Sequence, residues 1–501
     1  MLDPMNIFDI KRIVIVSIVG LLLAACVVQR SPVTGTKRAY GYSWEKEVQI
    51  GQQADQQIQQ QYGVYDDEKV LNYVKVIGQE VLEVSHMRRE DTPKEYKNTD
   101  FHFRVLNSPV VNAFALPGGY VYVTRGLLAH LENEAQLAVV LGHEIGHVAA
   151  RHASQRAFEQ QVGQLALLGG AVAGEELLGV PGGSILDIGS QAAQYLFLSY
   201  GRDDERESDR LGVEYAAMKN YQAAEGAGFF SALKRISKQS GQSIPDWQST
   251  HPDPSERANT IPELAQQWKQ KGYEQTIADT DEYMQMIDGM IYGDNPREGF
   301  TRDGYFYHPD LKFQFKYPDG WQVINQTSLV AVVNESQDAV SVMQIDGEAS
   351  SAKASVIEYV GQEGFSITSQ EDVEHNGLNG FQATASATTE DGTDYQFYVY
   401  AVSYGDNVYR FTSYSVANKF GGYESSFKET ATSFASLTDQ QILSIQPMRL
   451  QTMQADRSAP FSSFLPDQLP MDTKAEDVAI INQVELDETI EKGIWIKIPR
   501  Q

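Results

Sequence analysis

The stretch Val139–His152, VVLGHEIGHVAARH, decides how the chain is read, because it places three of the nine histidines inside an otherwise apolar helical pattern. His143 and His147 are four apart, so at about 3.6 residues per turn they point in nearly the same direction and can grip one ion. Two neutral imidazoles suit zinc. Glu144 lies about 100° around the helix, at the edge of the same face, where it can reach an activated water without being a ligand, as a general base does. The competing reading is a core helix that happens to carry imidazoles. It must bury two of them and a carboxylate between Val140–Leu141 and Val148–Ala149, which costs several kcal/mol without partners. His152 follows His147 by five residues, so a continuous helix carries it to roughly the opposite side. The expectation is a structural residue there, not a third ligand. Ala150 and Ala153 stand where the longer metzincin motif needs glycine and histidine.

A ligand from another helix is therefore required, and the best candidate lies in RDDERESDRLGVEYAA, residues 202–217. Glu205 and Asp209 are four apart there; one can coordinate a metal while the other accepts the free N–H of a ligand imidazole and fixes its tautomer. Glu207 points about 200° away from that face and reads as a solvated charge.

Three stretches, NAFALPGGYVYVTRGLL (112–128), NEAQLAVVLGHEIGHVAARH (133–152) and ERESDRLGVEYA (205–216), together resemble the successive motifs of the HtpX-like, CAAX-protease-like gluzincins, metallopeptidase family 48. The resemblance spans about residues 40–270. It implies an α-helical zinc endopeptidase with one Zn2+ per chain, held by His143, His147 and Glu205, with Asp209 behind them. STHPDPSERA (249–258) resembles a segment of the secreted, BepA-like members. By that resemblance His251 can occupy the open position of the zinc and hold the enzyme inactive, and Arg257 faces the site, where it is a candidate to stabilise an oxyanion. Read from residues alone, HPDP is only a proline-rich turn before a helix.

With 501 residues the chain is too long for one core, since domains run at roughly 150 residues each. The net charge of -27 argues against nucleic acid as a partner. Cys26 is the only cysteine, which excludes an intramolecular disulfide framework and multi-cysteine zinc clusters. It follows Lys11, Arg12 and an uncharged run from Ile13 to Ala25, too short for the ~20 residues that span a bilayer. LAAC, Leu23 to Cys26, resembles a bacterial lipobox. The expectation is a signal peptide over 1–25 and lipidation of Cys26, with an ordinary cleaved signal or a short anchor as alternatives. Val27 after the cysteine favours the outer membrane of a Gram-negative envelope by the same resemblance.

A tether over 26–42 leads into a metallopeptidase domain over 43–290, mainly α with a small β-hairpin sheet around Asn112–Thr124. Gly169–Gly189 is rich in glycine and proline and reads as a loop. From about 303 to 440 the texture changes: LKFQFKYPDGWQVI, YQFYVYAVSY and NVYRFTSYS alternate at period two, giving an α+β sandwich that resembles PsbP/Mog1-like domains. Residues 445–501 resemble a degenerate LysM module, which implies a possible peptidoglycan partner beside the polypeptide substrates and the membrane. The function expected is a periplasmic peptidase of protein quality control. The alternative is a non-proteolytic chaperone or assembly factor with a latent zinc site.

Overall fold

The computed structural model describes residues 27–160, 200–240, 251, 256–389, 392–471 and 473–501. The signal peptide, Cys26 and the Gly169–Gly189 segment lie outside the described residues.

The peptidase region opens on two helices, α1 (Trp44–Tyr62) and α2 (Glu68–Val84). Each starts where a side chain satisfies the free N–H groups of the first turn: Ser43 accepts from the Lys46 amide, and Asp67 from those of Lys69 and Val70. Val70, Val74, Ile77 and Val81 form the buried stripe of α2, at the spacing that a helix gives one face. A three-stranded sheet follows, with β1 (His102–Leu106), β2 (Ala113–Leu116) and β3 (Tyr120–Thr124) in the order β1-β3-β2. β1 runs parallel to β3 and β2 antiparallel to it, with Phe114 opposite Tyr122. The hairpin turns at Pro117–Gly119, where Gly118 has φ +81° and a Cβ would lie 2.6 Å from the Val48 Cα; only glycine fits. β2 is thus an edge strand with one side unpaired among the described residues.

The helix that carries the histidines, α3 (Glu134–Ala150), is buried along its whole length. It packs against α4 (Arg202–Met218) through glycines: a Cβ on Gly142 would lie 3.0 Å from the Cα of Gly212. That close approach brings the first turn of α4, with Glu205, within reach of α3. α5 (Gly226–Ser240) and α6 (Arg257–Gln270) complete this layer. Among the described residues no helix is long and apolar enough to cross a membrane.

Beyond residue 300 the chain is mostly strand. A seven-stranded antiparallel sheet contains Asp394–Tyr404 and Asn407–Val416 at its middle, and a four-stranded sheet contains Tyr305–His308 and Phe313–Lys316. Period two sorts the strand Asp394–Tyr404 onto two faces. Tyr398, Tyr400 and Val402 join Phe313, Phe315 and the helix Ala417–Thr432 in one core, while Val399 and Ala401 join the helix Ala352–Val360 in another. The α+β expectation for this region matches these layers.

The last segment pairs Arg449–Gln454 antiparallel with Trp495–Arg500 around a short helix, Ala475–Ile481. Its apolar residues Leu450, Val478, Ile481, Ile496 and Ile498 belong to the same core cluster as Leu127, Leu137 and Tyr283 of the peptidase region. Lys497 is fully buried there and donates from Nζ to the carbonyls of Ala129 (3.1 Å) and Leu131 (2.8 Å), beside the Glu132 carboxylate.

Candidate metal centre

Two helical positions four apart place the Nε2 atoms of His143 and His147 3.0 Å from each other. Glu205 reaches them from the first turn of α4, an acidic turn that suits the positive end of the helix dipole. Its Oε1 is 3.4 Å from His147 Nε2 and its Oε2 3.6 Å from His143 Nε2. His251, six residues before α6, brings Nδ1 to 3.0 Å from Glu205 Oε1 and 3.4 Å from His143 Nε2. All four side chains are buried. Four donors around a tetrahedral zinc, each at about 2.0–2.1 Å, stand about 3.3 Å from one another. The donor spacing and the donor types therefore fit that ion.

Glu144 lies beside this group, fully buried, with neither carboxylate oxygen hydrogen-bonded among the described residues. Its Oε1 is 3.6 Å from His251 Nε2. Burial raises its pKa to about 7 in the metal-free protein, and the neighbouring His251 opposes the rise. Burial works against a charge on His251, yet Glu205 and Glu144 pull its pKa above the ordinary value. For His143, burial and then Arg257 push the pKa down to about 4, so its imidazole is neutral and free to donate a lone pair.

Behind the ligands, Asp209 Oδ1 is 3.0 Å from His143 Nδ1. Arg257 donates from Nε to Asp209 Oδ2 at 2.9 Å, from Nη2 to Asp209 Oδ1, and from Nη1 to Glu205 Oε2 at 3.3 Å. Its guanidinium also covers the Phe230 ring, 3.9 Å from the centroid. Arg257 therefore meets the centre through two carboxylates and also directly, with Nη2 3.0 Å from His143 Nδ1.

Two expectations need correction. His152 does not lie across the helix from His147: α3 ends at Ala150, Arg151 takes a left-handed conformation (φ 61°), and a separate helical run begins at His152. His152 Nδ1 then sits 2.9 Å from His147 Nδ1. Glu207 is not a solvated charge either, since its Oε2 is 3.4 Å from His152 Nε2 and its side chain is 23% exposed. Tyr200, which the sequence did not single out, stacks on the His147 ring with centroids 4.0 Å apart. No spacing rule could have found it, because it precedes α4 in a segment without periodicity.

Residues 74–265 match the model of peptidase family M48. A protein named beta-barrel assembly-enhancing protease, from Escherichia coli, is 29% identical over 230 residues, 45% of this chain and 45% of that protein. The mitochondrial metalloendopeptidase OMA1 of Bos taurus is 33% identical over 172 residues, 32% of this chain and 32% of its own length. The chain thus spans less than half of the length of either relative. The solution structure of a cyanobacterial PsbP from Synechocystis aligns with 26% of this chain and 91% of that chain, at 13% identity and a TM-score of 0.23. His143, His147, Glu205 and His251 all lie within residues 74–265, the region that is similar to peptidase family M48.

Proposed function

We propose that the protein is a zinc-dependent endopeptidase of the Gram-negative envelope that cleaves misfolded or stalled polypeptides. The observation that carries the reading is the buried set of donors, spaced for a tetrahedral ion, with the carboxylate of Glu144 beside it, not hydrogen-bonded among the described residues. Zinc bound by His143, His147 and Glu205 would supply the positive charge that acidifies water and polarises a peptide carbonyl. Glu144 takes the proton of the attacking water and delivers it to the leaving amine. Asp209 holds the His143 imidazole through Nδ1, and Arg257 fixes both Asp209 and Glu205. His251 stands where substrate would enter and has to withdraw first.

A substrate strand adds beside β2, whose outer edge is unpaired among the described residues; main-chain pairing gives affinity with little sequence preference. That permissiveness suits unfolded chains at an outer-membrane surface, and the name of the Escherichia coli relative, beta-barrel assembly-enhancing protease, supports a task in β-barrel assembly. Lipidation of Cys26 would hold the enzyme at that surface, and the segment 445–501 is a candidate for peptidoglycan contact, tested by sedimentation with purified sacculi. The deciding experiment compares cleavage of an unfolded outer-membrane protein by wild type and Glu144→Gln, with zinc measured in both. Loss of cleavage with zinc retained is expected; equal cleavage refutes the assignment. His251 inside the donor set favours a second reading, a latent zinc site in an assembly factor, because structural sites close their coordination with protein ligands. Cleavage by wild type that Glu144→Gln abolishes excludes it.

A further inference from the structure

The rear nitrogens of the two helical histidines are answered differently. His143 faces the carboxylate of Asp209, whereas His147 faces a second imidazole, that of His152, at 2.9 Å between Nδ1 atoms. Two nitrogens at that distance share one proton. A His147 that turns the lone pair of Nε2 toward Glu205 and His143 carries its hydrogen on Nδ1, so His152 must accept at Nδ1 and carry its own hydrogen on Nε2. That N–H points to Glu207 Oε2, 3.4 Å away, with Asp204 Oδ1 at 3.8 Å. Ser208 Oγ lies 3.4 Å from His152 Nδ1. Donors and acceptors alternate along the chain from His147 to Glu207 in one sense only.

The backbone holds this arrangement in place. Arg151 keeps its left-handed conformation through a buried guanidinium that binds Glu47, Gln29 Oε1 (2.9 Å), the Tyr96 hydroxyl (3.1 Å) and the Tyr42 carbonyl (2.8 Å), over the face of Tyr40. A non-glycine residue stays in that region where its surroundings fix it. The residue that ends the helix thus also aims His152 at the back of His147. Tyr200, stacked on the His147 ring, limits its rotation from the other side.

We propose that His152 and Glu207 form a positioning pair for His147: they fix its tautomer and ring orientation and so raise the affinity of the centre for zinc, as Asp209 does for His143. The proposal rests on the zinc reading of the centre. Partners of this kind change metal affinity by about 10- to 100-fold when removed.

The test uses the full chain, with zinc affinity measured by competition with a chromophoric chelator and melting temperature measured with and without zinc. His152→Leu and Glu207→Gln are expected to weaken zinc binding by about tenfold or more, and to shrink the rise in melting temperature that zinc produces. His152→Gln, whose amide oxygen can accept while its nitrogen donates, is expected to restore most of the affinity. A merely structural role would lower the melting temperature of the zinc-free and zinc-loaded forms equally and leave affinity alone. Zinc binding by Glu207→Gln within about twofold of wild type overturns the proposal, as does a His152→Gln variant no better than His152→Leu. If His152→Leu does not fold without zinc, Glu207→Gln decides, because its side chain is partly exposed and isosteric. A wild-type protein that takes up no zinc overturns the reading of the centre as well as the pair, whereas zinc uptake by wild type with equal uptake by the variants overturns the pair alone.

Discussion

At the scale of single side chains, His251 is the most informative one to change. It adds a fourth donor to a centre in which His143, His147 and Glu205 already supply three, and it stands 3.6 Å from Glu144, over the ground that water and substrate would share. His251→Ala is expected to keep its zinc and to raise turnover of a casein-type substrate severalfold. Unchanged turnover at unchanged zinc content would remove His251 as a gate. How far the residues were legible follows from the same local geometry. His143, Glu144 and His147 could be read because helical spacing alone brings them together, and Glu205 with Asp209 because they repeat that spacing. His152 and Glu207 were misjudged for one reason: the helix stops at Ala150 with no glycine or proline to announce it. The signal was a single arginine in a left-handed conformation, held by contacts with residues more than 50 positions away in sequence, such as Glu47 and Tyr96.

At the scale of elements, the distance between α3 and α4 is set by small residues. A Cβ on Gly212 would lie 2.8 Å from the His143 amide nitrogen and 2.9 Å from the Val139 carbonyl oxygen, both backbone atoms that cannot turn aside. Gly212→Ala therefore has to push the helices apart, at a cost of about 1–3 kcal/mol, and Glu205 recedes with the displaced helix. Denaturant unfolding should show the loss of stability, and zinc titration a weaker site. A variant with wild-type values in both would show that the helices do not depend on this contact. Sequence periodicity revealed both helices but not their separation. The glycines in LGHEIGH and RLGVEY read as mild helix weakeners until the opposing helix is seen to need their room.

At the scale of the molecule, the strand alternation beyond residue 300 was legible because each face of the sheet buries its own core. The docking of the last segment was not, since Lys497 finds its partners some 366 residues earlier in the chain, at Leu131. Lys497→Met would leave the Glu132 carboxylate and two carbonyls short of a partner in the interior, and removal of one half of a buried ion pair costs about 3–5 kcal/mol. A marked fall in melting temperature is expected. A melting temperature within experimental error of wild type would show that the anchor adds nothing.

The placement of Lys497 also has a consequence for biogenesis. Leu131 and Glu132 lie just ahead of Asn133, whose side chain caps α3, so the start of the helix that carries His143 and His147 is walled by a strand whose Lys497 is made 366 residues after Leu131. A chain that emerges from its N-terminal end cannot finish this core until residues 495–500 arrive, and contacts so distant in sequence form late. Proteolytic capacity would then mature only after residues 495–500 have been made, which spares the earlier part of the nascent chain from the proposed active site. A chain ending at residue 446 is expected to remain protease-sensitive and poor in zinc; a stable, zinc-replete truncation would refute this ordering.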